Sequence, residues 1–155
     1  MTMVSADHGV ASRTNTERAV SSSDPPIRVL IVEDDPAVRN AICCMLEFRG
    51  FTVIAAEDGH AGLKLAKDFP GSFDLLLTDI HMPEMKGPEF ARRLHLLRPD
   101  VAVLYMSANP ADAFSACQED PGADFLAKPF SSSDFMQKIN SVLARRSLAL
   151  PVSAT

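Results

Sequence analysis

The stretch FDLLLTDIHMPEMKG, residues 73–87, decides how this chain folds. Leu75, Leu76 and Leu77 form an apolar run that stops at Thr78-Asp79, and a polar loop containing Pro83 leads on to Gly87-Pro88. Short apolar runs bounded by turn residues read as strands buried on both faces. A carboxylate on the last residue of such a strand sits at the rim of the sheet. In open α/β sheets the binding crevice lies beyond the carboxyl ends of the strands. Asp79 is therefore the first candidate functional residue.

The same pattern repeats on either side. Residues 27–32 (IRVLIV) read as a strand followed by Glu33, Asp34 and Asp35, with Asp35-Pro36 as N-cap and first helical residue. Val38, Ala41, Ile42, Met45 and Leu46 recur at helical spacing, and Gly50 stops that helix. Residues 51–55 form the second strand. Asp58 caps a second helix carrying Leu63, Leu65 and Ala66, which ends before Pro70-Gly71. Past the opening stretch, Gly87-Pro88 starts a helix with Phe90, Ala91, Leu94 and Leu97 on one face, closed by Arg98-Pro99. Residues 101–106 (VAVLYM) are a fourth strand that stops at Ser107-Ala108. Asn109-Pro110 begins a weakly patterned helix, and Asp120-Pro121-Gly122 is a turn. Residues 123–127 are a fifth strand that stops at Lys128-Pro129. Ser131 with Asp134 resembles a capping box before Phe135, Ile139, Val142 and Leu143.

Five strand–helix units with short connections predict an α/β fold. It is a doubly wound, five-stranded parallel sheet of order 2-1-3-4-5, flavodoxin-like, with helices on both faces. The folded domain is expected over residues 27–146. It lies between an N-terminal arm, residues 1–26, whose Ser-, Ala- and Thr-rich composition reads as disordered, and a flexible tail, residues 147–155.

Composition bounds the function. At 155 residues, 46% hydrophobic and 23% charged, the chain has the balance of one ordinary globular core. A net charge of −5, with no clustered basic patch, argues against direct nucleic-acid binding. Cys43, Cys44 and Cys117 form no CxxC and read as packed, reduced thiols. No apolar stretch reaches the length of a secretory signal or a membrane span, so a cytoplasmic protein without membrane contact is expected.

Laid side by side, the strand ends carry Glu33-Asp34, Asp79, Ser107 and Lys128, all on one edge of the sheet. Taken singly, each has a structural reading as a turn, cap or solvated charge. Together at four strand ends they form a site. Two unit charges 4 Å apart cost about 4 kcal/mol at an effective dielectric of about 20, so three carboxylates call for a proton or a cation. All-oxygen ligands favour Mg2+, which keeps open positions for phosphoryl oxygens. Lys128 adds a compact positive charge and Ser107 a hydroxyl donor. Between them stands a carboxylate able to attack phosphorus.

VEDDP after strand one, TDIHMPEMKG after strand three, MSA after strand four and KPF after strand five resemble the receiver domain of two-component response regulators. The resemblance covers roughly residues 27–144. It implies that Asp79 is the phosphoacceptor, with Mg2+ held by Asp34 and Asp79, by Glu33 through water, and by the backbone carbonyl of His81. It implies that Ser107 and Lys128 contact the phosphoryl oxygens, that Ala108 keeps the group accessible, and that Lys128-Pro129 is cis. Ser107 and Phe125 would be the switch residues. Glu33 stands where Asp is commoner and Ser107 where Thr is commoner, while His81 and Asn109 occupy positions that tune dephosphorylation in the family.

The implied function is phosphorelay signal transduction. A histidine kinase or histidine phosphotransfer protein donates its phosphoryl group to Asp79. A downstream protein then binds the face of helix four, strand five and helix five, and a homodimer is compatible with this reading. No enzyme activity is implied beyond self-phosphotransfer and slow autodephosphorylation. The segment RRSLALPVSAT is too short to fold as an output domain, and helix three with strand four is similar to receivers attached to hybrid kinases. The competing reading is a Mg2+-dependent phosphatase with an aspartate nucleophile. Those enzymes typically place a second Asp two residues after the nucleophile, where this chain has His81.

Overall fold

The computed structural model describes residues 24–149. Within them strands and helices alternate: β1 (Arg28–Val32), α1 (Pro36–Phe48), β2 (Thr52–Ala56), α2 (Gly59–Asp68), β3 (Leu75–Asp79), α3 (Gly87–Leu97), β4 (Ala102–Ser107), α4 (Pro110–Glu119), β5 (Asp124–Ala127) and α5 (Ser132–Ala149). Every strand pair is parallel and the sheet order is β2-β1-β3-β4-β5, as the sequence predicts.

The leucine run of β3 shows why both sheet faces are apolar. Leu75 and Leu77 join Val29, Ile31, Leu104 and Met106 on one face, under Ile42 and Leu46 of α1 and Phe135, Ile139 and Val142 of α5. Leu76 points the other way with Leu30, Val32, Val103 and Tyr105, under Ala66 of α2, Phe90, Ala91 and Leu94 of α3, and Ala116 of α4. Side chains alternate along a strand, so a run without polar interruption needs cover on both sides.

The helix starts follow the expected capping chemistry. Asp35 Oδ1 accepts from the N–H groups of Ala37 (2.9 Å) and Val38 (3.3 Å), and Asp58 Oδ1 from Ala61 (2.8 Å). Ser131 Oγ accepts from the N–H of Asp134 at 3.0 Å. Gly50, at φ +87, ends α1 in the left-handed conformation that favours glycine.

Two expectations change. Leu97, expected on the buried face of α3, is 47% exposed. The stripe continues four residues past Leu94, at Arg98, whose guanidinium donates to the carbonyls of Phe69 (2.7 Å), Gly71 (2.7 Å) and Ala66 (3.0 Å). The tail expected from residue 147 begins as helix, because α5 runs to Ala149. Arg146 holds this turn down through Asp74 Oδ1 at 3.0 Å and the Asp100 carbonyl at 2.9 Å. Of the expected arm, residues 24–26 lack regular structure; residues 1–23 and 150–155 lie outside the described residues.

Candidate functional site

Backbone pairing extends past the strand ends and fixes the residues that follow them. The N–H of Glu33 donates to Ala56 (3.2 Å), that of Ile80 to Met106 (3.0 Å) and that of Lys128 to Ser107 (2.9 Å). Gly87 closes against the loop after β3, where a Cβ would lie 2.3 Å from the carbonyl oxygen of Asp79. Here glycine is required by close approach of backbone, not by its dihedral angles.

Carboxylate oxygens of Glu33, Asp34 and Asp79 all lie within 4.8 Å of one another. Glu33 is buried, Asp79 half-buried and Asp34 exposed. The Nζ of Lys128 bridges two of them, 2.7 Å from Asp79 Oδ2 and 2.9 Å from Glu33 Oε2. The remaining oxygens are also engaged: Glu33 Oε1 accepts from the Asp35 N–H at 3.2 Å, and Asp79 Oδ1 from the His81 N–H at 3.0 Å. The sequence brings these four side chains together as expected, and part of the positive charge that three carboxylates require is the ammonium of Lys128.

The electrostatics follow from burial. Loss of hydration pushes the Glu33 carboxyl above its ordinary range, against the lowering pull of Lys128 and the Asp35 N–H, and the charge of Asp79 adds to the rise. Burial opposes the charge on Lys128, but its bonds to Asp79 and Glu33 prevail and its pKa is raised.

Ser107 ends β4 beside this cluster, yet its hydroxyl faces elsewhere. It donates to Asp112 Oδ2 at 2.7 Å and accepts from the Asn109 N–H at 3.1 Å. Nε2 of His81 lies 2.7 Å from the same Asp112 oxygen. The Ser107 hydroxyl and then His81, opposed by partial burial, hold the Asp112 carboxyl below the usual range. Among the described residues the Ser107 hydroxyl makes no hydrogen bond to Asp79 or to the Lys128 ammonium.

Asp112 is the residue that sequence reasoning missed. Asn109 caps α4 and Asp112 follows three residues later, the spacing of a capping-box acid. That pattern was a signal for an engaged carboxylate, but its partners are side chains of β4 and of the loop after β3.

Phe125 on β5 is half-buried, pairs in register with Tyr105 of β4, and packs against the core face that holds Tyr105 and Ala116. Tyr105 is fully buried, and among the described residues its hydroxyl has no hydrogen-bond partner. The Lys128–Pro129 peptide is cis.

The acidic set suits a hard divalent cation. Opposite ligands of Mg2+ lie about 4.2 Å apart, twice its bond length, so three oxygens within 4.8 Å span such an ion with little adjustment. No nitrogen or sulfur ligand belongs to the cluster, which favours Mg2+ over softer metals.

A parallel sheet with acids and one lysine gathered at its carboxyl edge defines a class of small α/β domains built around a rim aspartate. A family model described as the response regulator receiver domain matches residues 29–140. The chain is 31% identical over 141 residues to the sensor kinase CckA of Brucella abortus, a match covering 90% of this chain and 15% of that protein. It is 34% identical over 122 residues to the response regulator MprA of Mycolicibacterium vanbaalenii, covering 77% of this chain and 52% of that one. A CheY-like response regulator receiver domain protein from Methanospirillum hungatei is 30% identical with a TM-score of 0.68, covering 80% of this chain and 98% of that structure. The chain belongs to the response regulator receiver domain family. It spans about half or less of the length of these two curated relatives.

Proposed function

We propose that this chain is a phosphoacceptor of phosphorelay signalling, which takes a phosphoryl group from a phosphohistidine onto Asp79 and thereby switches a protein-binding face. The observation that carries this reading is the convergence on Asp79: two further carboxylates lie within 4.8 Å and the Lys128 ammonium at 2.7 Å.

In the transfer, a carboxylate oxygen of Asp79 forms the new bond to phosphorus. The phosphorus–nitrogen bond breaks, and its electron pair leaves with the donor imidazole. The product is an acyl phosphate. Asp34 and Asp79 would hold Mg2+ directly, Glu33 through water, and His81 through its backbone carbonyl. When bound, the ion neutralises charge on the phosphoryl oxygens. Lys128 exchanges a carboxylate for a phosphoryl oxygen, and Ser107 turns to donate to another. As Ser107 moves, Phe125 turns further inward and reshapes the face of α4, β5 and α5. Phe114 of α4, 70% exposed, supplies apolar surface for a partner on that face.

The upstream partner on this reading is a histidine kinase or a histidine phosphotransfer protein. The downstream one is a protein, or a second copy of the chain, on the switched face. The setting is the cytoplasm. Two observations fit it: the three cysteines are unpaired, and among the described residues no helix is long and apolar enough to cross a membrane. Catalysis is limited to self-phosphotransfer and slow loss of the group. An aspartate-nucleophile phosphatase needs an acid/base where His81 stands, and the His81 ring is taken by Asp112.

The test is incubation with Mg2+ and acetyl phosphate followed by mass spectrometry. A gain of a single phosphoryl group, absent from Asp79→Asn, supports the reading. No gain, or a gain that survives the substitution, refutes it.

A further inference from the structure

We propose that Asp112 is a positioning residue for the phosphoryl switch. It holds the Ser107 hydroxyl away from Asp79, so capture of a phosphoryl group must break the Ser107–Asp112 bond and release one of the ties on the first turn of α4. The inference rests on the phosphoacceptor reading and adds to it a specific competitor and a specific element released.

The serine hydroxyl has one proton and can donate it to one acceptor at a time. That proton is committed to a carboxylate at 2.7 Å, a short charge-assisted bond. A phosphoryl oxygen on Asp79 would require the same proton, so the two bonds exclude each other. Ser107 also accepts from the N–H of Asn109, the residue that caps α4. It therefore holds the start of α4 at two points, the cap backbone and the Asp112 carboxylate. The other polar ties on this turn are the His81 ring at Asp112 and the Asn109 cap on the Ala111 N–H, and Ala116 is the one buried residue of the helix. Ser107 thus supplies two of the polar ties that fix the first turn of α4.

The exchange does not strand a charge. Asp112 Oδ2 also meets Nε2 of His81 at 2.7 Å, and His81 comes from the loop that begins at Asp79. When Ser107 leaves, Asp112 keeps the His81 ring and gains water. The result is a two-state element, with the serine proton either on Asp112 or on the phosphoryl group, whose balance the phosphoryl group biases.

The experiment measures binding of beryllofluoride, a phosphoryl mimic that adds acceptor fluorines to an aspartate carboxylate, by calorimetry in saturating Mg2+. Asp112→Ala is expected to bind it about tenfold more tightly than the parent, the worth of one net hydrogen bond no longer opposing capture. Asp112→Asn keeps an uncharged acceptor for Ser107 and is expected to fall between. In a Ser107→Ala background, Asp112→Ala is expected to change the affinity by less than about twofold, because the competing bond is already gone. That arm matters because removing a negative charge near an anion would tighten binding regardless of Ser107, and such a general effect would persist without the hydroxyl. Unchanged or weaker binding by Asp112→Ala, or an equal effect with and without the serine hydroxyl, overturns the inference. Should the alanine variant fail to fold, by circular dichroism, the asparagine variant carries the same comparison. A parent chain that binds no beryllofluoride at all refutes the phosphoacceptor reading itself, and with it this inference.

Discussion

Replacing Lys128 with Met keeps most of the apolar stem of the side chain and removes the ammonium that joins Glu33 to Asp79. At 2.7 Å and 2.9 Å, each contact is worth about 6 kcal/mol of gross Coulomb energy at an effective dielectric of about 20. Most of that offsets the cost of taking the charges out of water. The relevant quantity is the cost of stranding the partners, about 3–5 kcal/mol when one member of a buried pair is removed. The Lys128 and Asp79 side chains keep 19% and 14% of their exposure while Glu33 keeps 1%, which points to the lower end. We expect a loss of about 3 kcal/mol in the absence of Mg2+, seen as a fall of about 10 °C in the thermal midpoint. The effect of Mg2+ has the opposite sign. A single positive charge about 4 Å from a divalent ion costs several kcal/mol at that dielectric, so the Met variant should bind Mg2+ about tenfold more tightly than the parent, or better. At a hundredfold excess over its dissociation constant, Mg2+ should return about 2.7 kcal/mol. Acetyl phosphate should nevertheless fail to phosphorylate the variant, because the ammonium proposed to meet the phosphoryl oxygens is gone. The assay is thermal unfolding with and without Mg2+, beside calorimetric titration of the metal. Equal stability without Mg2+, or weaker Mg2+ binding than the parent, would refute the role of Lys128 as internal counter-ion of the cluster.

Three further outcomes follow from single residues. Tyr105 is the only tyrosine in a chain without tryptophan, so near-ultraviolet tyrosinate absorbance reports it alone. Burial, and then the charges of Asp120 and Glu119, push its pKa far above 10.0; the stability this provides is complete below pH 10 and lost as pH rises beyond it, so ionisation should coincide with unfolding, and a reversible titration near pH 10 with the fold intact would contradict this. Gly87→Ala drives a Cβ to 2.3 Å from the Asp79 carbonyl, and should cost about 3 kcal/mol in urea unfolding and slow acetyl phosphate labelling; parental stability and rate would show that the loop yields freely. Phe125→Ala should leave acetyl phosphate labelling of Asp79 intact while reducing the phosphorylation-dependent change in amide exchange on α4 and β5, and equal loss of both would count against a switch role.

The parts of the fold legible in the sequence are those set by periodicity and by chain connectivity. Leu75, Leu76 and Leu77, too short a run for a helix and bounded by turn residues, are buried together in a strand covered on both faces. Parallel strands joined by short helical crossovers leave few orders, and the 2-1-3-4-5 order then puts Glu33, Asp79 and Lys128 on one edge. Where two neighbouring positions could each continue a stripe, the sequence was less decisive. Leu97 is the more apolar residue, but Arg98 sits four residues past Leu94, and its guanidinium satisfies the carbonyls of Ala66, Phe69 and Gly71. Apolar character alone does not identify such a position, because the gain comes from orphan carbonyls on another part of the chain.

Hydrogen-bond choice within the site was the least legible feature, and the reason bears on mechanism. The residue types at the strand ends disclose which donors and acceptors meet, but not which pairs form when several compete. Each side-chain donor assigned to the phosphoryl group is already held by a carboxylate of the protein: Lys128 by Glu33 and Asp79, and Ser107 by Asp112. Phosphoryl capture on the proposed chemistry is therefore an exchange of acceptors, with no donor waiting free. Two carboxylates must find new company. Glu33 is the more demanding, since it is buried and its charge is already disfavoured by lost hydration. On the proposed chemistry a divalent metal at the acidic cluster would answer that demand, and the His81 ring answers the smaller one at Asp112. It follows that metal and phosphoryl group should bind with positive coupling: the phosphoryl group draws Lys128 away from Glu33 and Asp79, and the metal replaces the positive charge lost there.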